Sequence, residues 1–425
     1  MASEWPTTTV GKIAASISDT HLRKKKQLIF LNTSDVSQGK ILHCDYTSVS
    51  EWPGQAKKSI KRDDILFSEI RPANGRYAYV DRSADDFVVS TKLMVIRADR
   101  CQVLPKFLYH FLTQSSITAW LQFLAESRSG TFPQITFDQI AELELPLPPI
   151  EDQTATAGFA DFINDKIELN RKMNETLETM ARALFKSWFV DFDPVRAKAE
   201  SRDPGLPAHI AALFPDSFED SELGEIPRGW SIAAIRDITS KIQYGLTASA
   251  QAEGDGPKFL RITDIQGGRV DWSRVPRCNA PQDQLGRYQL KPHDIFVART
   301  GASTGENIYL PIVPDAVFAS YLVRFQFEET AHARLIGAFM RSSAYFEYVQ
   351  NSIGGSAQPN ASAQVLAGAK LVMPPRDLCR KYAETLVPID QKIWRNLAES
   401  EKLSELRDTL LPKLVSGEVR LGNNR

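Results

Sequence analysis

The chain states one pattern twice. Phe30-Leu31 followed by Asp35-Val36 returns as Phe259-Leu260 followed by Asp264-Ile265, and Asp64-Ile65-Leu66 ahead of Gly75 returns as Asp294-Ile295-Phe296 ahead of Gly305. Ser90 recurs as Ser320, Phe111-Leu112 as Phe339-Met340, and Leu145-Pro146-Leu147-Pro148-Pro149 as Leu371-Val372-Met373-Pro374-Pro375. The copies lie about 226 to 230 residues apart, far beyond the ~20–50-residue period of a stacked solenoid. The repeating unit is therefore a whole domain with its own core, and two such domains suit a target or partner that is itself present twice.

Composition is used mainly to exclude. A chain of 425 residues suits about two to three domains, and 43% hydrophobic with 24% charged residues is ordinary for a globular protein. No apolar run approaches the ~18–20 residues needed to span a bilayer, and Met1 to Val10 has neither a basic start nor an apolar stretch, so the expectation is a cytoplasmic chain with no membrane role. Cys44, Cys101, Cys278 and Cys379 stand singly, without the spacing of a zinc site or a disulfide framework. Charge is uneven: Lys+Arg against Asp+Glu is 18 to 16 over residues 1–150, 15 to 12 over 226–375, and 8 to 16 over 151–225. A polyanion would therefore meet the repeats and not the acidic segment between them.

Each repeat opens with short β-like runs, Gln27 to Leu31, Asp64 to Phe67, Phe87 to Val89 and Leu93 to Ile96 in the first copy, punctuated by Gly, Pro and Asp. Helical spacing follows over Pro105 to Phe123 and about Ala331 to Gln350, then a Gly/Ser-rich loop, Ser127 to Thr131 and Gly354 to Ser362, then a strand into the double proline. Each copy is read as an α+β domain.

After each double proline the period becomes helical. Ile163, Ile167, Met173, Leu177, Met180, Leu184 and Trp188 form a stripe, and Ile389, Ile393, Leu403, Leu406, Leu410 and Leu414 continue the pattern in the second copy, with Asn170 and Asn396 on it. The spacing predicts two long helices buried against each other and antiparallel, each buried Asn fixing register; the simpler alternative packs each helix on its own domain. A helix from Glu151 to Trp188 would be roughly 57 Å long. Expected boundaries are domains at 1–150 and 226–375, helices at 151–190 and 376–425, and an extended, partly ordered acidic linker at 191–225.

Catalytic constellations are not found. Gly301-Ala302-Ser303-Thr304-Gly305-Glu306 lacks the Lys of a P-loop, and the double prolines follow Leu147 and Met373 where an amino-methyltransferase would need Asn. The histidines are isolated, and Asp63-Asp64 and Asp85-Asp86 read as turn residues. No cofactor is expected. Side chains suited to nucleic acid are present: Arg23-Lys24-Lys25-Lys26, then Lys57, Lys58, Lys61 and Arg62, as phosphate ligands, with solvated surface an equal reading. Around the repeated Gly the first copy carries Glu69, Arg71, Asn74, Arg76 and Tyr77, the second Arg299, Thr300, Ser303, Thr304 and Asn307, residue types that read base edges. Phe185, Trp188 and Phe189 are assigned to a protein-partner surface, with the core of the helix pair as the alternative for Trp188.

The double-proline exit with Gln153, the run Ile167 to Glu178 leading to Leu184-Phe185-Lys186-Ser187-Trp188-Phe189-Val190-Asp191-Phe192, and the terminal Leu410-Leu411-Pro412-Lys413-Leu414-Val415-Ser416-Gly417-Glu418 resemble the specificity subunits of type I restriction-modification systems. The resemblance extends over essentially the full length. It implies two target-recognition domains separated by two long antiparallel helices forming a coiled coil, each domain reading half of a split site in double-stranded DNA. It further implies docking of two modification (methyltransferase) subunits and of ATP-dependent restriction subunits, with all catalysis in those partners. Two departures stand out: Arg380 in place of the family's second Gln, and Glu69-Ile70-Arg71-Pro72 in place of an Arg-Thr-Gly loop. A self-contained DNA methyltransferase and a structural coiled-coil adaptor are the competing readings.

Overall fold

The computed structural model describes residues 5–21, 25–52, 54, 56–128, 132–252, 254–279, 281–353 and 360–421. The chain divides into two units, Met1–Leu169 with Glu399–Arg425, and Asn170–Ala398. Arg23 and Lys24 of the basic cluster, and most of both Gly/Ser-rich loops, lie outside the described residues.

In the first unit, one antiparallel sheet orders Ala14–Ile17, Leu93–Ala98, Ile65–Ser68 and Tyr77–Tyr79. A second orders Tyr46–Ser48, Gln27–Leu31, Phe87–Ser90 and Ala56–Ser59, with a parallel pair at its centre. Strand Ile65–Ser68 is buried along its whole length because both of its faces are covered. Ile65 and Phe67 point to the helices Pro105–Leu112 and Ser115–Arg128, while Leu66 points to Ile29, Leu31 and Val89, as a two-residue period requires.

The second unit repeats the first sheet strand for strand and three strands of the second, whose fourth strand lies on the opposite edge. Lys241–Tyr244, Leu322–Gln326, Asp294–Ala298 and Asn307–Leu310 form one sheet, and Ala250–Gln251, Arg277–Cys278, Lys258–Leu260 and Ala316–Phe318 the other, again with a parallel pair. Ile295 and Val297 face one core and Phe296 and Ala298 another. The repeated Asp closes the same turn in each unit: Lys61 N–H donates to Asp64 Oδ2 at 2.7 Å, and Lys291 N–H to Asp294 Oδ2 at 2.9 Å. Asp63 and His293, one residue earlier, both take positive φ.

The long helices are Ile150–Phe189 and Arg376–Ser416. Their packing seam is a strict heptad in both, Ile163, Ile167, Asn170, Asn174, Leu177, Ala181, Leu184 and Trp188 in the first, and Ile389, Ile393, Asn396, Ser400, Leu403, Arg407, Leu410 and Leu414 in the second, every position buried or half-buried. The sequence stripe is corrected at three places: Asn174, Ala181 and Arg407 take the seam positions in place of Met173, Met180 and Leu406, of which Met180 and Leu406 are exposed. Within the second unit Asn174 reaches the Ile393 carbonyl at 3.5 Å, and within the first Arg407 donates to Asn164 Oδ1 at 2.7 Å. The helices therefore run antiparallel in each unit.

Residues 191–225 depart from the extended linker expected of them. They carry helices Asp193–Ala199 and Ala208–Ala211 and a hairpin of Phe218–Ser221 with Gly224–Pro227. Phe192, Val195, Ile210 and Phe214 join Phe185, Trp188, Phe189 and Trp230 in one core, with Phe189 and Tyr382 rings edge to face at 4.9 Å. The acidic residues of this segment lie on its outside, and the apolar ones bury its backbone.

Candidate nucleic-acid interface

The repeated strands Ile65–Ser68 and Asp294–Ala298 each deliver the chain into a tight turn, Pro72–Asn74 and Gly301–Ser303. Gly75 and Gly305 close the turns at φ 65° and 94°, a region that strains any other residue. At the entrance the copies differ: Gly301 sits at φ 75° where Arg71 is forced to 44° ahead of Pro72. The departure seen in sequence is thus a left-handed non-glycine residue in an otherwise equivalent turn.

The sequence-selected residues do not form one surface. Arg71 and Asn74 are exposed on the first turn, and Arg299, Thr300 and Ser303 are half-buried at the second. Thr304 and Asn307 are turned inward, 4% and 0% exposed. Thr304 Oγ1 donates to the Gly301 carbonyl at 2.7 Å, and Asn307 Nδ2 to the carbonyls of Gly305 and Met340 at 2.9 and 2.6 Å. Their polar groups close the turn and tie down a helix end, so they are removed from the set able to touch a duplex.

Arg76 is similarly engaged, donating to the carbonyls of Ser34 and Val36. Lys58 donates to Thr91 and Leu93 carbonyls at 3.0 and 2.8 Å, and burial pushes its ammonium below its ordinary value, with Glu69 partly offsetting this. Lys61 and Arg62 are exposed but sit at the other end of strand Ile65–Ser68 from Arg71. Lys57 is exposed on strand Ala56–Ser59.

Phe185, Trp188 and Phe189, expected on a partner surface, are instead spent inside the chain's own aromatic core, with at most 7% of their surface left. The helix stripe ends there in rings because Tyr382, Phe214 and Trp230 fill the space around them. A further correction concerns Gln153. Its Nε2 donates to the Pro148 carbonyl at 2.9 Å and its Oε1 accepts from Leu104 N–H at 2.7 Å. The residue making the corresponding bond in the second unit is Cys379, whose Sγ meets the Pro374 carbonyl at 3.7 Å. Arg380 is exposed and faces Glu329.

Sequence reasoning missed Lys92, Gln134, Tyr321 and Asn360, which backbone bonds bring beside Glu69 and Arg299. Lys92 Nζ donates to Glu69 Oε2 at 3.3 Å and to Gln134 Oε1 at 3.2 Å. The Arg299 guanidinium lies over the Tyr244 ring at 4.9 Å. These groups donate, accept and stack at an accessible surface, which is the equipment of recognition. No helix among the described residues is long and apolar enough to cross a membrane.

Residues 4–179 match the family model of the type I restriction modification DNA specificity domain. The HindI specificity subunit of Haemophilus influenzae is 33% identical, covering 98% of this chain and 100% of its own length. The MjaIX specificity subunit of Methanocaldococcus jannaschii is 26% identical over 75% of this chain and 70% of its own. The crystal structure of a type I restriction-modification S subunit from M. genitalium has the same fold, with a TM-score of 0.55 over 97% of this chain and 96% of that one at 15% identity. The chain belongs to the specificity subunits of type I restriction-modification systems. That membership accords with a non-catalytic role.

Proposed function

We propose that this chain reads a split site in double-stranded DNA, with residues 1–150 and 226–375 as the two target-recognition domains, each taking one half-site. The observation that carries the reading is a common backbone frame built twice, one sheet whole and three strands of the other, with different polar side chains at equivalent surface positions. A shared frame with divergent contacts suits two halves of unequal sequence. The helix pair presents outward apolar residues, Phe162, Leu169, Met180 and Val387 among them, and offers these to two modification subunits. Methyl transfer belongs to those subunits, and ATP-driven translocation and cleavage to restriction subunits. Exposed Lys57, Lys61, Arg62, Arg71 and Asn74 serve as phosphate and sugar contacts in this reading.

The test is to express the chain with its modification subunits in a host lacking other DNA methyltransferases and to sequence the methylated positions. One motif of two short halves separated by unread bases is expected. Exchanging residues 1–150 for those of a relative should change one half alone. A continuous motif, or loss of both halves on exchange, overturns the proposal.

A further inference from the structure

At the end of each central strand one residue is held at both backbone ends. In the first unit it is Glu69, whose N–H donates to the Lys92 carbonyl at 3.0 Å and whose carbonyl accepts from Ile135 N–H at 2.9 Å. In the second it is Arg299, whose N–H donates to the Tyr321 carbonyl at 3.0 Å and whose carbonyl accepts from Ala361 N–H at 2.8 Å. The next residue bridges to Gln134 in one case and to Asn360 in the other, through Ile70 and Thr300. The two frames agree bond for bond. The side chains hung on them differ in chemistry at two of three places, Glu69 against Arg299 and Lys92 against Tyr321, while Gln134 and Asn360 are carboxamides of different length.

At several turns a side chain that closes the fold does repeat with the frame. Asp64 and Asp294 accept from the turn N–H groups, Asp35 and Asp264 do the same for Asn32 and Arg261, and Gly75 and Gly305 both take positive φ. A charge inversion between positions 69 and 299, in one backbone setting, shows that the fold needs neither sign there. Two of these positions are exposed and the other four, Glu69, Lys92, Gln134 and Arg299, half-buried. Tyr321 is 57% exposed, Lys92 retains 43% of its side-chain surface, and Asn360 is exposed. Arg299 Nε is buried without a hydrogen-bond partner among the described residues.

We propose that Glu69, Lys92 and Gln134 form the base-reading set of the first domain and Arg299, Tyr321 and Asn360 that of the second. This rests on the DNA-specificity reading above and names the residues that carry it. A guanidinium held over the Tyr244 ring presents paired donors that match O6 and N7 of guanine, and Asn360 has the paired donor and acceptor that suit adenine. Glu69 accepts from the amino group of cytosine. Without DNA, Lys92 occupies both Glu69 and Gln134, so its ammonium must swing from them, towards a base or a phosphate, when the duplex arrives.

The full-length chain is expressed with its modification subunits, and methylated motifs are compared for wild type, Glu69→Gln, Arg299→Gln and Asn360→Ala. Selection from randomised duplexes by the assembled complex provides a second readout where methylation is lost. Arg299→Gln should weaken discrimination at one G·C pair by roughly 5- to 150-fold, leaving the other half-site and the melting temperature unchanged. Asn360→Ala should act on a nearby pair of that same half, and Glu69→Gln on the opposite half alone. An unaltered motif in all three variants, or one variant changing both halves, overturns this assignment while the specificity-subunit reading stands. A wild-type complex that selects no split motif overturns that reading as well.

Discussion

Asn396 donates its side-chain amide to Asn174 Oδ1 at 2.7 Å, inside the seam of the two long helices, and Asn170 reaches the Asn396 carbonyl at 3.4 Å. A polar layer in an apolar seam is satisfied only in one register, since a shift of either helix separates the amides. Asn396→Leu should therefore cost about 1–3 kcal/mol by stranding the Asn174 amide. Replacing Asn170, Asn174 and Asn396 together by Leu should recover stability but admit more than one register. Thermal melting and cysteine cross-linking along the seam check both outcomes; a triple variant with one sharp cross-linking register counts against the layer's role.

The turn carboxylates are equivalent in position and unequal in consequence. Arg97 donates to both oxygens of Asp64 at 2.7 Å but keeps 29% of its side-chain surface, whereas Arg324 beside Asp294 keeps 2%. Burial raises the Asp294 carboxyl and depresses the Arg324 guanidinium. Asp294→Asn should cost about 3–5 kcal/mol by leaving a buried cation uncompensated. Asp64→Asn should cost distinctly less because water reaches Arg97. Chemical denaturation of the two variants gives the comparison, and equal losses would contradict it.

Acid should weaken one surface tie in the first unit. Hydrogen bonds from the Lys25 ammonium and then the Tyr46 hydroxyl hold the Asp86 carboxyl below its ordinary value. A folded-state value lower than the unfolded one gives stability that is complete above the unfolded value of about 3.9, and is lost as pH falls through the depressed folded value. Both partners are accessible to water, so the contribution is small. Carboxyl NMR titration should find Asp86 titrating below free aspartate, and Lys25→Met should move it back up.

Trp188 is a core residue, 2% exposed against Phe214 and Tyr382. Trp188→Ala should destabilise the isolated chain by about 3–5 kcal/mol. Co-purification of modification subunits per folded molecule should stay at the wild-type level. Normal melting with lost assembly would restore the partner-surface assignment that burial argues against.

Much of the scaffold is legible because local backbone chemistry demands particular residues. Asp64 and Asp294 must cap a turn and Gly75 and Gly305 must take positive φ, so these identities survive in both copies and expose the repeat. The helix seam is visible in outline, but Asn174 and Ala181 stand where pattern reading seeks bulk, and Met180 attracts it wrongly. Residues 191–225 mislead through their Pro, Asp and Glu content, which hides four widely spaced apolar anchors, Phe192, Val195, Ile210 and Phe214. At the interface, residue type alone cannot separate an amide that reads bases from one, like Asn307, that binds carbonyls. Lys92, Gln134, Tyr321 and Asn360 reach their places through pairing between distant segments, which no local pattern encodes.

The main-chain bonds that hold residues 69 and 299 draw only on the N–H and carbonyl that nearly every amino acid supplies. Substitution there leaves the clamp standing, so new contacts can be tried at little expense to folding. A protein built this way can change its target by point mutation without first acquiring a reserve of stability, and laboratory libraries confined to these six positions should return mostly folded molecules.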